Sequence, residues 1–228
     1  MMRGWYISSR PGSIPGDTTN WYTSYWYFIA EYATARFGEE WCLTADQSLS
    51  FYSGSKTAPR QVIIRSPKGS NNAVQLMYNT SLFDLKAATA TTIYKEPQFG
   101  LNLYALPEAL TECRPDFFRI DSITARTCLS MVPDAADMLK ILLEKGQTVK
   151  AGRLAGAFRN IGHTAAADEI IDTMRSLSYD IREEDPFTDQ TPIAYTRIRS
   201  PYVMRLELMW NKMRDVVIAH FPATDNKH

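Results

Sequence analysis

Gln61-Val62-Ile63-Ile64-Arg65, then Ser66-Pro67-Lys68-Gly69-Ser70-Asn71-Asn72, then Val74-Gln75-Leu76-Met77-Tyr78: this stretch decides the fold class. The first run is β-branched and short. The middle holds Pro, Gly and two Asn, which suit turns because they preset or tolerate unusual backbone angles. The third run is apolar again. Strand, turn and second strand are the reading. A sheet therefore sits in the middle of the chain.

Working toward the N-terminus, Gly4 to Ser9 reads as a strand, followed by a loop with Pro11, Gly12, Pro15 and Gly16. Asp17, Thr18 or Thr19 can cap a helix from about 20 to 37, with Tyr22, Tyr25, Trp26, Ile29, Ala33 and Phe37 at helical spacing. Gly38 stops it. Thr44-Ala45-Asp46-Gln47 has the form of a capping box and opens a short helix ending near Gly54.

Toward the C-terminus, Thr91 to Tyr94 and Leu101 to Leu106 are further strands. From Pro107 the period becomes helical, because Pro suits a first turn where its missing N–H is not needed. Helices are expected to Cys113, over Ser122 to Met131, over Ala135 to Lys145, over 149–161 and from Thr164 to about Leu177. Asp180 to Phe187 is a loop or short strand. Ser200-Pro201 opens a last helix to about His220, with Val203, Leu206, Met209, Trp210, Met213 and Val217 as its stripe. The expected fold is α/β in the α+β sense. A small mixed or antiparallel sheet with flanking helices (1–106) precedes a helical subdomain (107–228), the two forming one unit.

Composition narrows the function. The 228 residues are 45% hydrophobic, which is enough for a real core. Lys plus Arg and Asp plus Glu are both 25, and a net charge of zero disfavours broad binding to nucleic acid or to anionic membranes. No run of about eighteen apolar residues can span a bilayer. Met1 to Tyr6 lacks the apolar centre of a signal peptide, so a cytoplasmic location is expected. Cys42, Cys113 and Cys128 are odd in number and far apart, which fits free thiols in a reducing compartment.

Catalytic patterns are missing. His163, His220 and His228 neither cluster nor neighbour a cysteine, so no metal spacing arises. Gly54-Ser55-Lys56-Thr57 copies only the end of a phosphate-binding loop, and position 49 is Leu where Gly is needed. No Gly-x-Ser-x-Gly turn is present. Neither an enzyme nor a cofactor is expected.

Four features carry alternatives. The turn at Ser66 to Asn72, flanked by Arg60 and Arg65, is either a contact for phosphate or nucleic acid through Arg60, Arg65 and Lys68, or an ordinary hairpin loop. In Ala151 to Gly162, Gly152 and Gly156 share a helix face, and each costs about 1 kcal/mol relative to Ala. A second backbone must come close there. Either a neighbouring domain docks, with Gly152, Gly156, Arg153, Arg159 and His163 as its contacts, or the chain packs on itself. Trp21 to Phe28 is aromatic all round, with no Lys or Arg between Asp17 and Arg36, so it reads as core or interface rather than a stacking platform. Arg182-Glu183-Glu184-Asp185 reads as a solvated loop.

Several segments resemble one family. Arg3 to Pro11, Pro15 to Thr19, Ser66 to Asn72, Thr80 to Leu85 and Ala151 to Arg159 are similar to the N-terminal region of long bacterial Fic-family proteins. Ser200 to Trp210 and Phe221-Pro222 resemble the segment before their Fic domain. That region is in turn similar to AbiEi-type antitoxins, which pair a winged-helix head with a larger body. The resemblance implies a regulatory, antitoxin-like module that binds a Fic-type domain in cis or in trans. It implies operator DNA as a partner only where the winged-helix head is present, and Arg3 to Ser9 would match the strand at which such a head ends. The His-Pro-Phe that opens the Fic signature does not occur, as the chain has no His-Pro pair. Thr92 and Glu96 have the spacing of a Fic-restraining helix, but Pro97 breaks the pattern. The competing readings are a DNA-binding regulator of a toxin–antitoxin or phage-defence operon, and an enzyme of unrecognised type.

Overall fold

The structure is a computed structural model that describes residues 16–188. These belong to one compact unit. The expected strand at 4–9 and the expected helix from Ser200 lie outside the described residues. Helix α1 runs Thr19–Phe37. Thr18 is its N-cap and makes no side-chain cap bond; the carboxylate of Asp17, one residue earlier, accepts the Thr19 N–H at 2.9 Å. Strand β1 is Cys42–Leu43 and helix α2 is Ala45–Tyr52. The Thr44 hydroxyl accepts the Gln47 N–H at 3.4 Å, as a capping box requires. The Gln47 side chain does not close the box. It donates to the Gln61 carbonyl and accepts from Ile63 N–H, each at 3.3 Å, and so ties α2 to the sheet.

Four strands form the main sheet: β1, β2 (Gln61–Ser66), β3 (Asn72–Gln75) and β4 (Ser81–Lys86). Their order is β1-β2-β4-β3, with β2 parallel to β4 and the other pairs antiparallel. The sheet is therefore mixed. Ser66 to Asn72 does not join a hairpin. It carries the chain past β4, whose place lies between β2 and β3. The hairpin is the next connection. Strand β3 ends at Gln75, short of the expected Tyr78, because Tyr78 (φ 51°) and Asn79 (φ 59°) both adopt left-handed angles. With Thr80 N–H donating to Met77 O at 3.1 Å, this is the tight turn that suits twisted antiparallel strands. Strands β5 (Ile93–Lys95) and β6 (Asn102–Tyr104) form a separate antiparallel pair.

Helices follow: α3 (Leu106–Glu112), α4 (Phe117–Ile120), α5 (Ser122–Ser130), α6 (Ala136–Lys145), α7 (Thr148–Asn160) and α8 (Thr164–Ser176). Two hydrophobic clusters hold the unit together. One joins α1 to the sheet through Trp21, Tyr25, Ile29, Phe37, Val62, Ile64 and Leu82. The other joins α3–α8 through Leu110, Phe118, Leu129, Leu142, Phe158 and Ile170. Helix α2 feeds both, Phe51 entering the first and Leu49 the second. Glu112 adds a polar tie, accepting from Lys145 at 2.8 Å and Lys150 at 2.6 Å, which links α3 to α6 and α7. No described helix is long and apolar enough to cross a membrane.

Candidate functional site

Helix α7 buries Ala151, Gly152, Leu154, Ala155, Gly156, Ala157 and Phe158. Two faces are served at once. Leu154 and Phe158 enter the helical core. Gly152 and Gly156 meet the segment Ile181–Phe187, which returns from α8 across α7. A Cβ on Gly152 would collide with the Arg182 carbonyl oxygen, and one on Gly156 would stand 2.5 Å from the Glu184 carbonyl carbon. Backbone can lie this close only where no side chain intervenes. The Glu184 N–H then donates to the Gly152 carbonyl at 3.2 Å.

Side chains fasten this strap. Arg159 grips Glu183 at 2.6 and 3.1 Å and Asp168 of α8 at 2.7 Å, and those two carboxylates hold its guanidinium charged. Asn160 donates to Asp185 at 2.7 Å. Phe187 packs edge-on against Phe118 with centroids 5.7 Å apart and lies under the Arg126 guanidinium at 4.1 Å. Arg153 is half-buried; burial lowers its proton affinity, and the nearby Cys113 and Glu184 partly offset that. His163 does not continue the glycine face, since α7 ends at Asn160 and the exposed His163 ring stacks on Phe158 at 6.3 Å. Gly152, Gly156 and Arg159 are thus brought together, around a partner from the same chain.

The basic turn is also engaged internally. Gly69 passes over β4, where a Cβ would stand 2.7 Å from the Leu85 carbonyl and the Lys86 nitrogen. Its N–H donates to Ser66 O at 3.0 Å, and the Ser70 N–H to Asp84 at 3.3 Å, so both donors once available to a phosphate are taken. Asp84 is the centre of the turn. Its buried carboxylate also accepts the Asn72 N–H at 2.8 Å, the Ser70 hydroxyl at 2.8 Å and the Arg36 guanidinium at 2.6 Å. Burial alone would raise its pKa, but these donors outweigh burial and hold it below the usual carboxylate range. Lys68 pairs with Glu40 at 2.6 Å, and Arg65 donates to Ala88 O at 3.1 Å and lies over the Tyr104 ring. Arg60 is exposed.

The aromatic helix is core on one side, with Trp21, Tyr25 and Trp26 buried. The three thiols are buried and free, and burial pushes Cys42 up to about 11 and Cys113 and Cys128 up to about 12. Thiolate chemistry at neutral pH is therefore disfavoured. Among the described residues no three His, Cys, Asp or Glu side chains converge as a metal site. Thr92 and Glu96 flank strand β5 rather than sharing a helix.

One feature escaped the sequence reading. Ile120, Ile123 and Met131 are 69%, 79% and 48% exposed. Ile120 ends α4, Ile123 lies in the first turn of α5 and Met131 caps the end of α5, with the non-helical Asp121 between the two helices. The signal was available: Thr124, Ala125, Cys128 and Leu129 take the buried face of α5, leaving Ile123 outside it. Comparison with protein-family models, curated proteins and solved structures finds no match for this chain.

Proposed function

We propose that this chain is a cytoplasmic, non-catalytic, antitoxin-like regulatory module that binds a Fic-type domain in cis or in trans. The observation that carries the protein-binding part is the exposed stripe Ile120, Ile123 and Met131. Exposed aliphatics grouped within one short stretch of chain mark a place where another protein can remove them from water. The choice of partner rests on the resemblance of the glycine helix and the Ser66 to Asn72 turn to the leading region of long Fic-family proteins. The raised thiols support the non-catalytic part, since the nucleophiles best suited to covalent chemistry are held protonated.

Calorimetry of this chain with the Fic-type domain encoded beside it tests the proposal. Saturable binding that Ile123→Asp weakens by about tenfold or more, with the melting temperature unchanged, is expected. Absence of binding, together with retardation of promoter DNA, would transfer the function to transcriptional regulation.

A further inference from the structure

A second place stands apart from the stripe. An open cavity of about 270 Å³ lies where the lead into β5, the start of α3 and one side of α6 meet. Glu108 is at its wall and is only 3% exposed. Its two oxygens accept the Thr91 and Thr92 N–H groups, each at 2.9 Å. These donors are neutral. They satisfy two of the roughly four lone-pair positions of a carboxylate. No ion pair reaches Glu108 among the described residues.

Two lysines line the same cavity. Lys145 holds Glu112 at 2.8 Å. Lys140 sits on α6 between Asp137 and Glu144, three residues after one and four before the other, and both carboxylates line the same cavity. Three carboxylates therefore face the space against one uncommitted cation. Ala105, Pro107 and Ile141 supply an apolar part of the lining beside Thr91 and Thr92. A buried charge without a counter-ion is unfavourable unless something supplies one. The space is below the usual range for drug-sized ligands.

We infer that this cavity binds a primary alkylammonium group, its charge on Glu108 and its short carbon stem along Pro107 and Ile141. The group is either the end of a lysine side chain on another protein or a free aliphatic amine.

The test is an NMR titration that follows the Thr91 and Thr92 amides, because their hydrogens lie on Glu108. The probes are n-butylammonium chloride, N-acetyl-lysine methylamide, and 1-butanol as the uncharged match. Saturable shifts with both amines and none with butanol are expected. Glu108→Gln should weaken binding by about tenfold, as for a lost hydrogen bond to a charged group. Asp137→Asn should weaken it by about two- to threefold, as for an exposed charge. Ile141→Trp should fill the cavity and abolish it, and this variant keeps the test open if Glu108→Gln does not fold. Tighter binding of the lysine derivative assigns the site to protein side chains; equal binding assigns it to free amines. No saturable shift, equal response to butanol, or full binding by Ile141→Trp would overturn the inference. Since none of these residues belongs to the α4–α5 stripe, either result is independent of binding to a Fic-type domain.

Discussion

The glycine face of α7 and the outer side of α4–α5 are both surfaces of unusual composition, and they meet opposite fates. The first lacks side chains and is filled by backbone from residues 182–185. The second carries large aliphatic side chains and stays in solvent. Two glycines on one helix face report that a backbone comes close. They do not report whose backbone it is. The exposed isoleucines leave the second surface uncovered, which is why the proposed interface moves from α7 to α4–α5.

The sharpest way to break this contrast is Gly156→Leu. A side chain there drives Glu184 off α7, and overpacking of this kind costs about 3 kcal/mol. Urea unfolding should show it, and a variant as stable as the wild type would mean that the strap is dispensable.

Next in size is Asp84→Asn, which removes the charge that gathers the Ser66 to Asn72 turn. Loss of about 2 kcal/mol is expected at pH 7. The sign with pH follows from the depressed carboxyl. The folded state releases the Asp84 proton more readily than the unfolded chain does, so the stabilisation is complete above the unfolded pKa. It is lost as pH falls through the lower folded value. The gap between wild type and variant should therefore narrow below about pH 4, and melting curves between neutral and acid pH would check it.

A smaller effect separates the two surfaces directly. Ile123→Asp should change stability by no more than about 0.5 kcal/mol, because the side chain packs on little. A large loss would mean that the stripe is part of the core. Smallest of all is Arg159→Ala. Its ion pairs are exposed, so global stability should barely move. Local opening should still rise, and hydrogen exchange at the Glu184 N–H, which donates to Gly152, reads it. Unchanged exchange would show that the glycines alone hold the strap.

What could be read without the structure was local. The helix at α1, the cap at Thr44, the proline that opens α3 and the stop at Gly146 all appear as expected, since each depends on contacts within about four residues. Strand β4 was missed because Ser81-Leu82-Phe83-Asp84-Leu85-Lys86 interrupts its apolar run with an acid. Asp84 belongs there only because the turn from the neighbouring strand brings three donors to it and Arg36 of α1 a fourth. The tight turn at Tyr78-Asn79 was hidden for a similar reason, as Tyr rarely takes a left-handed angle.

The sequence by itself determined that the chain has an α+β fold, that two glycines require a close backbone, and that its thiols lack partners at metal spacing. The tertiary structure was needed to show that β4 lies between β2 and β3, that the strap from 181 to 187 fills the glycine seam, and that Glu108 shares a cavity with Asp137 and Glu144 of α6. The reason is range. Caps, turns and helical periods are set by neighbours along the chain, whereas strand order, seam occupancy and charge pairing depend on groups that meet only after the chain has folded.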